Sequence, residues 1–225
     1  VNMKISVLQF PGTNCEYDTK YAFEQLGCEV EIIWHKEKNI PEDTDLLVIP
    51  GGFSYGDYLR SGAIARFATI MDSVQAYAAK GGKVLGICNG FQILLEAGLL
   101  PGAMKRNDSL HFISKFHTLK VVDNDNAFLS LLKKDEVLNI PVAHHDGNYY
   151  IDSLGLKDLE ENGQILLKYC DNNGSVVNMN GSVSNIAGIC NKEKNVFGLM
   201  PHPERAIEEL LGSTDGINML KGFLQ

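Results

Sequence analysis

Short apolar segments alternate with amphipathic segments along the first half of the chain. The apolar runs end near glycine, proline or charged residues, and segments with helical spacing lie between them. Near-continuous apolar strands joined through helices are typical of a parallel sheet covered on both faces. The sequence therefore predicts an α/β, three-layer fold with a largely parallel central sheet. The predicted strands are 4–8, 29–34, 45–50 and 83–87, and the predicted helices are 15–27, 62–82 and 89–102.

The second half of the chain has shorter strand-like segments separated by Asn-Gly turns. This pattern predicts a smaller mixed or antiparallel extension of the sheet. No repeat, low-complexity tract or linker interrupts the chain, so we expect one domain over residues 1–225. The predicted strands here are 113–122, 148–152, 164–170, 181–190 and 195–200, and the predicted helices are 203–212 and 216–224.

Composition and charge narrow the class of protein. The chain is 44% hydrophobic and carries a formal net charge of -8, which argues against nucleic acid as the main partner. No apolar stretch approaches the roughly 20 residues of a membrane span, and the first residues do not resemble a signal peptide. The five cysteines form no C-x-x-C pair, so we expect neither a disulfide framework nor a metal site, and a cytoplasmic location.

Cys88 follows the predicted strand 83–87 and precedes a predicted helix. Gly86 and Gly90 flank it in a Gly-x-Cys-x-Gly spacing, which matches the nucleophile elbow of serine hydrolases with sulfur in place of oxygen. A thiol at a helix N-terminus is activated by the helix dipole, and the N–H of Asn89 could face a developing oxyanion. The alternative is a small buried structural thiol, which is the common fate of a free cysteine.

The segment Pro-His-Pro-Glu at 201–204 could supply a base and the group that orients it. His202 precedes a proline and is therefore favoured in an extended conformation, in which side chains two residues apart project to the same side. His202 and Glu204 can then meet. The alternative is a helix start at Pro203-Glu204, where proline and a carboxylate are both favourable; the two interpretations are compatible.

Gly51 and Gly52 end the apolar strand 45–50 and lead into a polar loop. Loops at the carboxyl ends of parallel strands line the ligand crevice of α/β folds, and Cys88 leaves its own strand at the same edge. The N–H groups of Gly52 and Phe53 could therefore complete an oxyanion hole with that of Asn89. The alternative is an ordinary Gly-Gly turn.

Three motifs together, Gly-Ile-Cys-Asn-Gly-Phe-Gln (86–92), Pro-Gly-Gly (50–52) and Pro-His-Pro-Glu (201–204), resemble the class I, triad-type glutamine amidotransferases. The resemblance implies a flavodoxin-like fold and a glutaminase that acts through a glutamyl thioester. It places the family's catalytic residues on Cys88, His202 and Glu204. It also places the oxyanion hole on Gly52 and Asn89, and substrate contacts on Gln92, Gly51 and Phe53.

Longer blocks are similar to one branch of this family, the glutaminase subunits of phosphoribosylformylglycinamidine synthase. The blocks are residues 10–18, 51–65, 86–103, 106–112, 178–191 and 195–205. The resemblance implies that the chain makes ammonia from glutamine for a separate, large synthetase subunit in purine biosynthesis. That subunit would use ATP and Mg²⁺, whereas this chain would need no cofactor or metal. A third, small accessory protein is also expected.

The sequence departs from this branch at two places. Asp146 stands where a glutamate is expected, and Ser114-Lys115 stands where relatives often have Cys-Arg. His144-His145-Asp146 also resembles a metal cluster or a second acid–base site.

Three other functions remain open from the sequence. They are a glutaminase subunit of another amidotransferase, a flavodoxin-like cysteine hydrolase and a non-catalytic regulatory subunit.

Overall fold

The computed structural model describes residues 2–225, and its centre is a nine-stranded sheet with the strand order β2-β1-β3-β4-β11-β10-β9-β6-β7. A separate two-stranded sheet pairs β5 with β8. The strands are β1 Lys4–Gln9, β2 Glu29–Trp34, β3 Leu46–Ile49, β4 Lys83–Ile87, β5 Ala103–Lys105, β6 Ile113–Val121, β7 Val137–His144, β8 Asn148–Tyr150, β9 Ile165–Cys170, β10 Ile186–Cys190 and β11 Val196–Leu199. The α-helices are α1 Glu16–Gln25, α2 Ile70–Ala79, α3 Asn89–Glu96, α4 Ser153–Glu161 and α5 Gly216–Lys221.

The parallel half of the sheet contains β2, β1, β3, β4 and β11. Every residue of β3 and β11 is buried, as expected for strands covered on both faces. The carboxyl ends of β3 and β4 lie side by side, because Ile49 is in register with Gly86. The α/β fold class predicted from the sequence is therefore confirmed, and the predicted oxyanion loop and elbow leave the sheet as neighbours.

The antiparallel half confirms the predicted extension but includes a strand that the sequence pattern did not identify. β7 pairs only with β6 and so forms an edge of the sheet. Its residues alternate between buried and half-buried, with Leu138, Ile140, Val142 and His144 facing inward. Pro141 lies within this strand, and proline is tolerated there because an edge strand has one unpaired side.

The structure corrects several predicted elements. The helix expected over 62–82 is only α2, since the preceding segment forms turns from Gly62, which has a φ of +79°, to the extended Ala68. The predicted helix 203–212 is two short 3-10 turns, because its backbone bonds to the segment around Gly216 and ends at the left-handed Gly212. The predicted helix 89–102 is shorter in the structure, where α3 ends at Glu96. The predicted strand 148–152 pairs with β5 outside the main sheet.

The sequence pattern also missed helix α4, whose N-cap is Asp152. The Asp152 carboxylate accepts a hydrogen bond from the Gly155 N–H at 2.7 Å, an ordinary helix-capping contact. Within residues 2–225, the helices are all too short or too polar to cross a membrane.

Candidate active site

Cys88 occupies the sharp turn between β4 and α3. Its backbone has φ 53° and ψ −108°, a conformation that L-residues rarely adopt and that stores strain. The Cys88 N–H donates to the Leu199 carbonyl of β11 at 2.8 Å, and Sγ lies 3.4 Å from the Ala143 carbonyl of β7. The thiol is thus presented at the carboxyl edge of the sheet by a strained elbow, as the Gly-x-Cys-x-Gly spacing predicts.

The glycines on either side of Cys88 are required by close packing. A Cβ on Gly90 would lie 1.8 Å from the Ile49 carbonyl oxygen, and one on Gly86 would lie 2.5 Å from Leu94 Cδ1. Neither contact is possible for real atoms, so only glycine lets α3 start this close to the sheet.

His202 and Glu204 form a buried pair. His202 Nδ1 lies 2.5 Å from Glu204 Oε1, and each residue is 2% exposed. Glu204 lies in a 3-10 turn from Pro203 to Arg205, so both sequence interpretations hold: the turn begins at the proline, and the side chains meet. The His202 N–H donates to the Pro141 carbonyl of β7 at 2.8 Å, which fixes the segment against the edge strand.

Two opposing effects set the charge of His202. Burial lowers the pKa of its imidazole. The Glu204 carboxylate and the charge of a Cys88 thiolate raise that pKa by more than burial lowers it, so the net pKa lies well above the ordinary value. The other ring nitrogen, Nε2, is buried without a hydrogen-bond partner among residues 2–225. The ring is therefore held by one nitrogen and leaves the second available to the cavity.

The Gly51-Gly52 loop packs directly against this pair. A Cβ on Gly51 would lie 2.8 Å from His202 Cε1, and Gly52 has a φ of +142° that favours glycine. Within residues 2–225, the N–H groups of Gly52 and Asn89 donate to no hydrogen-bond acceptor. The suggestion that the Phe53 N–H could share the oxyanion hole is wrong for this conformation, since that N–H donates to the Gly12 carbonyl at 2.9 Å.

Gln92 stands one helical turn beyond Cys88 and belongs to a hydrogen-bonded chain. Asn89 Nδ2 donates to Gln92 Oε1 at 2.9 Å, and Gln92 Nε2 donates to the Asp146 carbonyl at 2.7 Å. Asn89 Oδ1 also accepts from the Ser54 N–H at 3.1 Å. These hydrogen bonds connect the first turn of α3 to the loop after β3 and to the turn after β7.

A cavity of about 120 Å³ opens between these segments. Of the residues predicted from the sequence, Gly52, Phe53, Cys88, Gln92 and His202 line it. Gly51, Asn89 and Glu204 are not among the lining residues, but each contacts one that is.

Sequence reasoning assigned no role to Cys15 and Arg205, which also line the cavity. Arg205 Nη2 donates to Cys15 Sγ at 2.9 Å, and Arg205 Nε lies 3.5 Å from Asp18 Oδ2. Both residues belong to blocks that carried the family resemblance, 10–18 and 195–205, and that was the only signal available for them. Their contact fastens the start of α1 to the turn that carries Glu204.

Cys15 also completes the one set of possible metal donors found among residues 2–225. Donor atoms of Cys15, His202 and Glu204 lie within 4.8 Å of one another. Sulfur, nitrogen and oxygen donors suit Zn²⁺. However, Glu204 already holds His202 and Arg205 already occupies the Cys15 sulfur. The absence of a functional metal remains a prediction.

The turn after β7 contributes further groups that the sequence left without a role. His144 is 3% exposed, and Asp146 and the loop residues Asp57 and Ser61 line the cavity with it. The geometry does not support a metal cluster at His144-His145-Asp146, because the one donor group found among residues 2–225 contains none of the three, and His145 Nε2 bonds to the Leu110 carbonyl at 3.0 Å.

Comparison with known families agrees with this geometry. Residues 2–216 match the CobB/CobQ-like glutamine amidotransferase domain. The chain is 68% identical to the phosphoribosylformylglycinamidine synthase subunit PurQ of Sulfurimonas denitrificans over 99% of this chain and 100% of that protein. It is 64% identical to PurQ of Wolinella succinogenes over 98% of this chain and 99% of that protein.

Solved structures give the same result. The structure of PurLQS from Thermotoga maritima contains a chain with a TM-score of 0.90 and 41% identity, covering 100% of this chain and 98% of that one. The glutaminase domain of Trypanosoma brucei CTPS, at 12% identity and a TM-score of 0.61 over 99% of this chain and 94% of that one, shares the fold alone. The chain therefore belongs to the glutamine amidotransferase family and, within it, to the PurQ subunits of phosphoribosylformylglycinamidine synthase.

Proposed function

We propose that this chain hydrolyses glutamine to glutamate and passes the ammonia to a separate ATP-dependent synthetase subunit. That subunit would convert formylglycinamide ribonucleotide to formylglycinamidine ribonucleotide in purine biosynthesis. The observation that carries the proposal is the pairing of His202 with Glu204 beside a thiol on a strained strand-to-helix turn. A Cys-His-Glu arrangement of this kind suits nucleophilic acyl transfer.

In the first half of the reaction, the Cys88 thiolate attacks the carboxamide carbon of glutamine. The negative charge that develops on the amide oxygen would be stabilised by the N–H groups of Gly52 and Asn89, which have no acceptor among residues 2–225. His202, protonated because its pKa is raised, donates a proton to the departing nitrogen. Ammonia leaves, and a glutamyl thioester remains on Cys88.

In the second half, neutral His202 removes a proton from water, and the hydroxide attacks the thioester carbon. The C–S bond breaks, glutamate leaves and the thiolate–imidazolium pair is restored. Glu204 holds the ring orientation through both steps, because its carboxylate stays bonded to Nδ1 and leaves Nε2 for proton transfer.

The proposed partners follow from likeness to the solved PurLQS. We expect a large synthetase subunit, PurL, which would hold ATP and Mg²⁺, and a small accessory subunit, PurS. No cofactor is proposed for this chain, whose cavity is lined by the groups that the thioester mechanism uses. A cytoplasmic location fits this assignment.

The test uses the complex reconstituted with the synthetase subunit. Cys88→Ser should abolish synthesis from glutamine and leave synthesis from added ammonium intact. Cys28→Ser is the control, since that half-buried cysteine lies outside the cavity. Glutamine hydrolysis that persists in the Cys88→Ser complex would show that the nucleophile is assigned wrongly.

A further inference from the structure

A tyrosine and a histidine form a hydrogen bond outside the active-site cavity. Tyr55 Oη, in the loop after β3, lies 2.7 Å from Nδ1 of His35, the residue that follows β2. Neither residue lines the cavity beside Cys88. The bond joins two segments that are 20 residues apart in sequence, and the acyl-transfer steps give it no role.

Tyr55 has a backbone conformation that a tyrosine rarely adopts. Its φ is 53° and its ψ is 31°, in the left-handed region, and Gly56 follows with a φ of 63°. The Gly56 N–H donates to the Phe53 carbonyl at 2.8 Å and closes a tight turn directly after the Gly51-Gly52 segment. A strained bulky residue persists only where its surroundings fix it, and such residues are concentrated at functional sites.

Three aromatic rings and the end of β2 hold the His35 imidazole in place. His35 is 9% exposed, and its ring centroid lies 6.2 Å from that of Phe10, 4.4 Å from that of Trp34 and 5.6 Å from that of Tyr55. The His35 N–H donates to the Gln9 carbonyl at 2.9 Å, so this residue prolongs the pairing of β2 with β1. The Tyr55 hydroxyl is therefore bonded to the sheet rather than to another loop.

Both groups have the protonation state that this bond needs near neutral pH. Burial, followed by the charge of Lys36, lowers the pKa of His35, which keeps the imidazole neutral and able to accept a hydrogen bond. Burial raises the pKa of Tyr55, so its hydroxyl keeps a proton to donate.

Tyr55 also ends a series of backbone hydrogen bonds between the loop after β3 and the loop after β1. The Phe53 N–H donates to the Gly12 carbonyl at 2.9 Å, and the Tyr55 N–H donates to the Pro11 carbonyl. These two N–H groups are two residues apart in sequence and face the same neighbouring loop.

The N–H groups between and before them face the elbow instead. The Ser54 N–H donates to Asn89 Oδ1 at 3.1 Å, and the Gly52 N–H, two residues earlier, donates to no acceptor among residues 2–225. In paired chains, N–H groups two residues apart point to the same side. A shift of this segment by one residue would exchange the two sets and turn the Gly52 N–H away from Cys88.

We infer that the Tyr55–His35 hydrogen bond fixes the register of residues 52–55 and so directs the Gly52 N–H toward the oxyanion of the reaction. This inference rests on the proposed glutaminase function and adds two positioning residues to it. Both residues act through the backbone of Gly52 and do not contact the substrate. Because the oxyanion forms only in the transition state, loss of the bond should affect kcat more than KM.

The experiment measures steady-state glutamine hydrolysis in the complex reconstituted with the synthetase subunit. Tyr55→Phe and His35→Leu each remove one partner of the bond and should each lower kcat about three- to tenfold, with KM changed by less than about twofold. The double variant should lose no more than either single variant, since the same bond is lost in all three. His35→Asn keeps an acceptor oxygen on Cγ, where histidine carries Nδ1, and should recover most of kcat.

Tyr58→Phe is the matched control, because it removes a hydroxyl from the same loop at a residue that is 69% exposed, and it should keep the wild-type kcat. Synthesis from added ammonium reports whether each variant complex is folded and assembled.

An unchanged kcat in Tyr55→Phe, or a loss that appears mainly in KM, would overturn the inference. So would losses that add in the double variant, or an equal loss in Tyr58→Phe. If the wild-type complex hydrolysed no glutamine, the proposed function would fail and the inference with it; intact hydrolysis with an unaffected Tyr55→Phe complex removes the inference alone.

Discussion

Gly90 at the start of α3 packs against the Ile49 carbonyl at the end of β3, so closely that a Cβ on Gly90 would lie 1.8 Å from that oxygen. This contact joins two parts of the site that are far apart in sequence. Ile49 immediately precedes the loop that carries Gly52, and Gly90 follows Cys88 by two residues. The separation between Cys88 and the Gly51-Gly52 loop is therefore limited by a backbone contact that leaves no room for a side chain at position 90.

Gly90→Ala should strongly destabilise the protein, because the new methyl group meets a backbone carbonyl that cannot move without displacing β3. We expect a loss of several kcal/mol or a failure to fold, as for other overpacked cores. Thermal unfolding of the purified wild type and variant measures this loss of stability. Gly81→Ala is the control: Gly81 has a φ of +88° but nothing within 4 Å of an added Cβ, so it should lose only about 1–2 kcal/mol. Similar small losses at both positions would contradict the packing argument.

Glu204→Gln should lower kcat for glutamine by about two to four orders of magnitude, since the neutral amide no longer favours the imidazolium and can hold the wrong tautomer. Synthesis from added ammonium should be unaffected. The pH profile adds a second readout. Because the Glu204 carboxylate helps to raise the pKa of His202, its removal should shift the alkaline limb of the glutaminase profile to lower pH. An unshifted alkaline limb would mean that the pKa of a group other than His202 determines this limb.

Asp57→Asn should stabilise the isolated chain above pH 6. The folded-state pKa of Asp57 is raised from 3.8 to about 6, so ionisation of this carboxyl opposes folding. The stability linked to its protonated form is fully present below about pH 4 and is lost as the pH rises through 6. Allowing for solvent screening of the half-exposed group, we expect a gain of about 1 kcal/mol at pH 7.5 and almost none at pH 4. Asparagine tolerates the positive φ of 55° at this position.

Denaturant titrations of the wild type and of Asp57→Asn at the two pH values test this. A gain of the same size at pH 4 and pH 7.5 would show that the effect does not come from ionisation.

A glutamine-analogue diazo-ketone should alkylate Cys88 and leave the other four cysteines unmodified. Cys170 and Cys190 are buried outside the cavity, and Cys28 lies away from it. Cys15 lines the cavity, but its sulfur contacts Arg205 Nη2 at 2.9 Å and Asn14 Oδ1 at 3.0 Å. Peptide mass spectrometry identifies the site, excess glutamine should protect it, and Cys88→Ser should prevent labelling. An adduct on Cys15 would reassign the reactive thiol.

Local sequence was sufficient where a feature depends on neighbours along the chain. The Gly-x-Cys-x-Gly spacing predicted the strained elbow, because a sharp turn from strand to helix needs small residues on both sides. The Pro-flanked His202 and Glu204 lie only two residues apart, so their contact could be anticipated. Apolar runs such as Leu46–Ile49 predicted the parallel sheet, since only a strand covered on both faces is apolar throughout.

Edge strand β7 shows why contacts between distant segments of the site could not be predicted from the sequence. Residues 137–144 include Pro141 and polar residues and resemble a loop. In the structure, however, the Ala143 carbonyl contacts the Cys88 sulfur, and the Pro141 carbonyl accepts from the backbone N–H of His202. The same strand delivers His144 and Asp146 to the cavity that Asp57 enters from another loop.

The sequence by itself thus determined the fold class, the elbow and the His202–Glu204 pair, since these follow from apolar periodicity and from residues a few positions apart. Only the tertiary structure decided that Cys15 and Arg205 brace the site, that the Phe53 N–H is already occupied, and that Asp57 and Asp146 face one cavity. Those contacts join segments separated by many residues. The free energy that fixes them comes from packing and hydrogen bonds between elements, which no local pattern records.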